Sequence, residues 1–478
     1  MNAASSQEPV APAPSRPTVE LRWALVVVGL VLSGVMVSRA QLGGDQLNII
    51  ARGWLWAAEG EFIPYGNPLS SGGNGPGALT TFLAGAPLFV WMDHRAPVVA
   101  IWLSHLAAFL LLDRILARNL SSSERLAFVA IFWLNPWRLE ASANLWNPNY
   151  LFFAGAVHFA TAFGNRERRS FLYSLIHVLT LGLAVQLHPG SLLLIVLTSL
   201  LWWRRALIFH WGGVVTGALV SIGSLIPWLL ATRSHPEIVA VAEGFPFRGL
   251  LYVHPMLKGM FYFARYPSLR LSWQATRFDF SDAFGTTADR WMTPLASWTV
   301  TVAGGLTVAA AAAAVWIFLR GETGRAEERP LSRWWVRNSL PNCSGRRWIQ
   351  DYAGLAFVGA LIVFAAAPTT PQHWQAFSIF HATLLPPVFA VGHLERSGHR
   401  LLAHRVTMVY ATLALIIGCA LAIAAPEFRC AGRATLVFPL RSHSPMFEEL
   451  GIQRTCAWPL DLPGKWWPDV LPEARGGE

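Results

Sequence analysis

The sequence predicts an all-α protein that crosses a membrane many times. Of its 478 residues, 54% are hydrophobic and only 13% are charged, whereas a soluble protein carries roughly twice that share of charge. Long apolar runs alternate with short segments in which Arg clusters. The net charge of +10 is almost entirely Arg, because Lys258 and Lys465 are the only lysines. Since these Arg residues flank apolar runs and do not line one soluble face, we expect no nucleic-acid partner.

A membrane-spanning helix needs about 17 to 25 mainly apolar residues, and we predict about eleven such spans, some of them short. They cover residues 23–37, 97–116, 126–137, 150–163, 171–186, 191–203, 206–230, 292–319, 352–366, 377–393 and 406–424.

Positive charge in short loops marks the cytoplasmic side of a membrane. The apolar run 78–91 is short and contains Gly85 and Pro87. Counting it as a span would place several Arg-rich loops outside, so we interpret it as a juxtamembrane or half-inserted helix. This predicts a bacterial inner-membrane protein with its N-terminus in the cytoplasm and its C-terminus on the outer face.

This orientation divides the chain into parts that we predict to differ in role. They are a disordered cytoplasmic tail (1–21), a transmembrane domain (22–425) with a first outer loop (40–95), a second outer segment (232–290) and a cytoplasmic loop (320–350), and an outer tail (426–478). The outer segments are long, polar and aromatic-rich, and such loops often carry function. Cys430 and Cys456 lie in the outer tail, where a disulfide is possible, whereas we expect Cys343 and Cys419 to be free thiols.

The first outer loop begins with an amphipathic helix that we expect to lie at the membrane interface. Helical spacing places Asp45, Asn48 and Arg52 on one face and apolar side chains on the other, and Gly60 ends the helix. Asp45 either caps its own helix or is a functional carboxylate. A carboxylate beside hydrocarbon is costly, and Arg39 and Arg52 are close enough in sequence to keep it charged.

This layout resembles the C-type membrane glycosyltransferases, specifically the branch of the protein O-mannosyltransferases and the aminoarabinose transferase of lipid A. The resemblance rests on an acidic residue after the first span, a juxtamembrane helix ending in Gly, an extended Pro/Gly loop over residues 64–77 and a short second helix. It covers roughly residues 23–203 and implies transfer of a sugar from a polyprenyl-phosphate donor to an outer-face glycolipid, polysaccharide or protein. It also implies that Asp45 acts on the acceptor nucleophile.

The sequence departs from the family pattern at two places. Asp45 is followed by Gln46 where the family often has an acidic pair, and Asn74-Gly75-Pro76-Gly77 stands where a basic residue and a Pro-Pro pair are common. Other cations must therefore hold the donor phosphate, and Arg is well suited because its planar fork binds two oxygens at once. The candidates are Arg138, Arg248, Lys258, Arg265, Arg270 and Arg277, with His188, His254 and His373.

Several other residues have both a structural and a functional interpretation. His188 lies in a tight turn and is either hydrogen-bonded structure or a site residue. Trp146, Asn147 and Asn149 occupy a turn where relatives often carry an acid, so they either start a helix or contact the acceptor or sugar. We expect Gln46, Asn48 and Arg52 to support Asp45. Without a second carboxylate we expect no metal and no other cofactor.

Two other functions remain open from the sequence. An oligosaccharide ligase or polymerase with a diphosphate-linked donor would need more basic residues around the donor. A non-enzymatic lipid or sugar transporter would need ionisable residues in the middle of its spans, where mainly His105, His158 and His177 are found.

Overall fold

The computed structural model describes residues 16–40, 42, 45–69, 73–239, 253–271, 278–321, 344–367 and 371–424, with short stretches between 437 and 456. In the described part the chain is all-α apart from one small strand pair, which confirms the predicted fold class. The helices are α1 (Arg16–Ser38), α2 (Asp45–Trp54), α3 (Leu79–Leu88), α4 (Arg95–Leu116), α5 (Ser122–Phe128), α6 (Pro136–Ser142), α7 (Leu151–Gly164), α8 (Phe171–Leu187), α9 (Leu192–Trp203), α10 (Trp211–Gly223), α11 (Ile226–Ser234), α12 (Val253–Arg265), α13 (Ser281–Leu319), α14 (Gly345–Ala365), α15 (Phe380–Arg396) and α16 (Arg400–Ile423).

Seven stretches of the described chain are long and apolar enough to cross a membrane. They are Val19–Ser38, Arg95–Leu116, Trp211–Ser234, Ala283–Leu319, Gly345–Ala365, His373–Arg396 and Arg400–Ile423. Phe171–Leu187 and Pro189–Trp203 are apolar but shorter. The larger number of spans, about eleven, stays a prediction.

Some predicted boundaries are wrong. Residues 16–21 belong to α1 and not to a disordered tail, because Leu21 already packs against the core. The predicted span 126–137 is interrupted by a π-helical turn at Val129–Trp133, and a new helix starts at Pro136 behind the Asn135 cap. The apolar run alone could not show this break.

The predicted cytoplasmic Arg clusters meet at one end of the bundle, which we call the Arg-rich end. There, Glu124 binds both Arg346 and Arg396. The Trp348 indole nitrogen donates to the Ala206 carbonyl at 2.8 Å, which joins α14 to the loop after α9.

The opposite end, which we call the Asp45 end, holds the loop between α1 and α4. His94 Nε2 lies 3.1 Å from the Ala40 carbonyl oxygen, so residues 40–94 leave and return at the same end. Within this loop α3 has only 10 residues. It packs closely on α2, because a Cβ added at Gly53 would lie 2.7 Å from the Ala84 carbonyl carbon.

The core between the two ends contains a hydrogen-bonded network of buried polar side chains. Its members are Thr161, His158, His177, Thr198, Tyr352 and His381. His158 Nδ1 lies 2.9 Å from the Tyr352 hydroxyl, and Thr198 Oγ1 bridges His158 and His177 at 2.8 and 2.9 Å. Such groups are stable inside a membrane protein because they satisfy each other.

The C-terminal part contributes a short antiparallel pair, β1 (Val437–Pro439) and β2 (Arg454–Cys456), with Val437 opposite Cys456. Cys430 and Cys343 lie outside the described residues, so the predicted disulfide stays a prediction. Cys419 is a free thiol on α16.

Candidate active site at the Asp45 end

Helix α2 differs from the interfacial helix that we predicted, because both of its faces are buried. Residues from Leu47 to Trp54 are all buried, and Arg52 is fully inaccessible. The Trp54 indole donates to Glu449 Oε2 at 2.8 Å, which brings the C-terminal part over the loop. The helix continues as a π-helical turn that ends at Gly60 in the left-handed conformation, with φ of 73°, as the sequence predicted.

Asp45 begins α2, and its side chain is exposed at the protein surface. Crowding by the surrounding protein removes part of its hydration and raises the pKa of its carboxyl, while a hydrogen bond from the Trp146 side chain acts in the opposite direction. The Asn67 amide nitrogen approaches the Asp45 carbonyl oxygen at 3.5 Å. Asp45 is therefore a carboxylate held by neutral partners.

The expectation that Arg39 and Arg52 keep Asp45 charged is wrong. Arg39 Nη1 donates to the Ala422 and Ile423 carbonyl oxygens at 2.6 and 2.7 Å, where it stabilises the C-terminal end of α16. Arg52 points into the loop, where Nη1 donates to the Asn48 carbonyl oxygen at 2.9 Å and to Asn67 Oδ1 at 3.2 Å. Its burial lowers the pKa of the guanidinium to about 10.

The turn between α6 and α7 supports Asp45 from the side. The Gln46 amide donates to Asn144 Oδ1, which ties α2 to this turn. Asn147 donates to the Leu187 carbonyl oxygen at the end of α8, and Asn149 donates to the Asn144 carbonyl oxygen at 2.8 Å. Both Asn side chains thus donate a hydrogen bond to a backbone carbonyl oxygen, which favours their structural interpretation. Trp146 is the member of this turn that contacts Asp45.

His188 also has a structural role. Its Nδ1 accepts a hydrogen bond from Gly190 N at 2.9 Å and caps the short turn Pro189–Ser191. Burial lowers the pKa of His188 to about 4, so the ring is neutral at pH 7. With Nδ1 occupied as an acceptor, the remaining Nε2–H can donate one hydrogen bond, but His188 supplies no positive charge to a phosphate.

A second group of polar and aromatic side chains surrounds Trp137, which is 1% exposed. The Arg265 guanidinium carbon lies 5.0 Å from the Trp137 ring centroid, and the His373 ring centroid lies at the same distance. Tyr266 packs edge-on against Trp137 at 5.7 Å, and its hydroxyl donates to the His373 carbonyl oxygen. Asn135 fixes this arrangement by donating to the Tyr266 carbonyl oxygen at 2.7 Å. We call these residues the Trp137 cluster.

Arg265, the cation of this cluster, and its neighbour Lys258 have no carboxylate partner among the described residues. Arg265 donates weakly to the Leu271 carbonyl oxygen at 3.3 Å, and its Nε is buried without a hydrogen bond in the described structure. Burial lowers the pKa of Arg265, and burial together with Arg265 lowers the pKa of Lys258. Arg270 lies farther along and donates to Thr301 Oγ1 at 3.2 Å.

Arg138 is not exposed at the surface, in contrast to its predicted place in an outer loop. It lies within α6, is fully buried, and stacks on Trp133 with its guanidinium carbon 4.0 Å from the ring centroid. Arg248 and Arg277 lie outside the described residues, and His254 is exposed on α12. Of the predicted phosphate ligands, Arg265, Lys258 and His373 thus best fit a common site.

Two tryptophans join Asp45 to the Trp137 cluster. Trp146 contacts Asp45 and packs edge-on against Trp374 with ring centroids 4.9 Å apart. Trp374 in turn contacts His373 at 4.8 Å. Asp45 and Arg265 therefore lie along one series of aromatic contacts, and neither forms an ion pair with another described residue. The sequence does not single out Trp137 or Trp374 among 23 tryptophans, although the position of Trp374 beside His373 was an available signal.

No protein-family model matches this chain, and no curated protein matches it. Two solved structures are similar to this chain in the path of the backbone. ArnT from Cupriavidus metallidurans in the apo state shares 14% identity with a TM-score of 0.43, over 85% of this chain and 77% of that one. The same protein bound to undecaprenyl phosphate shares 14% identity with a TM-score of 0.42, over 86% and 77%.

Proposed function

We propose that this protein is a membrane glycosyltransferase that uses a polyprenyl-phosphate-linked sugar. The observation that supports it most strongly is the series of aromatic contacts from Trp146 through Trp374 and His373 to Trp137. It connects Asp45 to Arg265, and neither of these has an ion-pair partner among the described residues. Transfer from a sugar phosphate needs a base for the acceptor and a cation for the leaving phosphate. The sequence resemblance supplies the donor class.

In this mechanism an acceptor oxygen attacks the anomeric carbon of the donor sugar as the bond from that carbon to the phosphate oxygen breaks. Asp45 takes the acceptor proton, and the polyprenyl phosphate leaves with the bonding electron pair. Arg265 and Lys258 stabilise the charge that develops on the leaving phosphate. The raised pKa of Asp45 suits a base, because proton transfer is most efficient when the pKa of the base approaches the working pH.

The donor and acceptor reach this site from the outer face in our proposal. The Arg-rich end would lie in the cytoplasm by the distribution of positive charge, which places Asp45 and the Trp137 cluster together on the other side. The acceptor would be a glycolipid, a polysaccharide or a protein. Neither a metal ion nor another cofactor takes part in the proposed mechanism.

The rival interpretation as a transporter gains one observation, because His381 joins the two mid-span histidines in one network. Every hydrogen bond of this network that we describe goes to a hydroxyl group. The network contains no carboxylate or Arg, and it is separate from Asp45. Glycosyl transfer therefore accounts better for the Asp45 end.

The test is Asp45→Asn in membranes supplied with a radiolabelled polyprenyl-phosphate sugar. We expect transfer to fall at least about 100-fold, because the amide cannot accept the acceptor proton, while the hydrogen bond from Trp146 is preserved. Glu59→Gln is the matched control, since it removes an exposed carboxylate from the same loop. Full transfer by Asp45→Asn would refute the proposed base. Transfer from a diphosphate-linked donor alone would instead identify a ligase or polymerase.

A further inference from the structure

A cavity of about 320 Å³ opens at the Arg-rich end, between the end of α9 and the start of α10. Arg169 and Arg205 line it together with the aromatic side chains of Trp202, Phe209 and Trp211. This volume is at the lower end of the range for small-molecule sites. Arginine beside aromatic rings is a composition that suits an anion with an apolar part.

Neither arginine of the cavity has a carboxylate partner in the described part of the chain. The nearest acid in sequence, Glu167, is occupied by Arg166 at 2.7 Å. Other arginines at this end are paired, as Arg125 is with Asp113 at 2.8 Å. Both guanidinium groups are exposed. With no acid bound to them in the described part of the chain, they are available to an anion from outside the protein.

The backbone at Arg205 gives a second, independent indication. Its φ is 55°, and it is the only non-glycine residue with a positive φ among the residues that the structure describes. Arg205 is the second residue after the end of α9, directly beyond the cap residue Arg204. The turn is closed by a hydrogen bond from Ala206 N to the Leu201 carbonyl oxygen at 2.9 Å. Gly or Asn is the usual residue there, because other side chains are strained. A strained arginine in a cavity wall indicates a role for its side chain.

We propose that this cavity binds the phosphate headgroup of an anionic phospholipid. Arg169 and Arg205 would hold the phosphate oxygens. Trp202 and Trp211 stand at the ends of two apolar helices, the position where tryptophan borders a bilayer. The outward face of α10 continues from the cavity with exposed Val215 and Leu219, so an acyl chain attached to the phosphate has an apolar surface to follow. A free phosphate compound would make no use of that surface.

The experiment measures lipid retention by the full-length protein in nanodiscs of equal parts phosphatidylglycerol and phosphatidylcholine. Native mass spectrometry should detect phosphatidylglycerol retained in preference to phosphatidylcholine. Arg205→Asn and Arg169→Gln should each reduce this retention about tenfold, the effect of losing one charge-assisted hydrogen bond. Arg168→Gln is the matched control, because Arg168 is an exposed neighbour that does not line the cavity.

The melting temperature separates binding from folding. Asn tolerates the left-handed conformation, so Arg205→Asn should melt at the same temperature as the unmodified protein or higher, even though it retains less lipid. Equal retention by all variants, or an equal loss in Arg168→Gln, would overturn the proposal. Complete displacement of the lipid by glycerol phosphate at an equal concentration would also overturn it, because the site would then belong to a free phosphate compound.

Discussion

Glu124 at the Arg-rich end and Asp45 at the Asp45 end show how differently the two ends treat a carboxylate. Glu124 is fully buried, accepts from Arg346 at 2.5 Å through both oxygens and contacts Arg396 at 3.3 Å. Asp45 has a neutral indole as its side-chain partner, and Arg265 has no acid in the described structure. The ion pairs of Glu124 stabilise the Arg-rich end. Asp45 and Arg265 have no ion pair among the described residues, which leaves them available to a substrate.

The largest effect that tests this contrast is expected from Glu124→Gln. The change keeps the side chain's shape but removes the acid that Arg346 and Arg396 share, and it weakens the cap of α5 formed with Ser121. Breaking a buried ion pair costs about 3–5 kcal/mol. Because both arginines are partly exposed, we expect roughly 2–4 kcal/mol here.

Thermal unfolding of the purified protein in detergent measures this loss, with Glu59→Gln as the control for charge. Sugar transfer by the molecules that remain folded should be unchanged. An unaltered melting temperature would show that the Arg-rich end does not depend on this ion-pair cluster.

The next effect concerns Arg265 and the donor. Arg265→Gln removes a cation from the Trp137 cluster, and a charge-assisted hydrogen bond contributes about 1.5–3 kcal/mol. We therefore expect kcat/KM for the polyprenyl-phosphate sugar to fall roughly 10- to 150-fold. Arg265→Lys should recover part of the loss, because charge remains while the planar fork is gone.

Arg233→Gln is the control for Arg265, since Arg233 is an exposed arginine in the last turn of α11. Kinetics measured over a range of donor concentrations provide the comparison. An unchanged kcat/KM in Arg265→Gln would remove the Trp137 cluster from the donor site, even if Asp45 proves essential.

The Asp45 end was only partly predictable, and the reason is tertiary contact. Asp45 at a helix start and Gly60 at the helix end follow from local sequence rules, and the structure places them as predicted. The burial of Arg52 depends on Asn67, which is distant in sequence, so helical periodicity assigned its face to solvent. The importance of Trp137 depends on Tyr266 and His373, which come from other parts of the chain. The hydrophobic pattern of the sequence identifies a helix, but it does not identify the residues from other parts of the chain that pack against it.

The smallest effect is the pH dependence that Asp45 itself should produce. Partial desolvation raises the pKa of its carboxyl in the folded protein. The stability that Asp45 contributes is thus fully present below the pKa of the unfolded chain and is lost as the pH rises through the folded pKa. At pH 7 the ionised Asp45 is unfavourable, so Asp45→Asn should melt at the same temperature as the unmodified protein or slightly higher, in contrast to Glu124→Gln.

Transfer requires the ionised form of Asp45, so the transfer rate should fall on acidification at a pH above the range of an ordinary Asp. Thermal unfolding at pH 5 and pH 7 measures the direction of the change in stability, and a pH–rate profile measures the direction of the change in transfer rate. A lower melting temperature for Asp45→Asn would mean that Asp45 stabilises its helix, and the contrast between the two ends would then disappear.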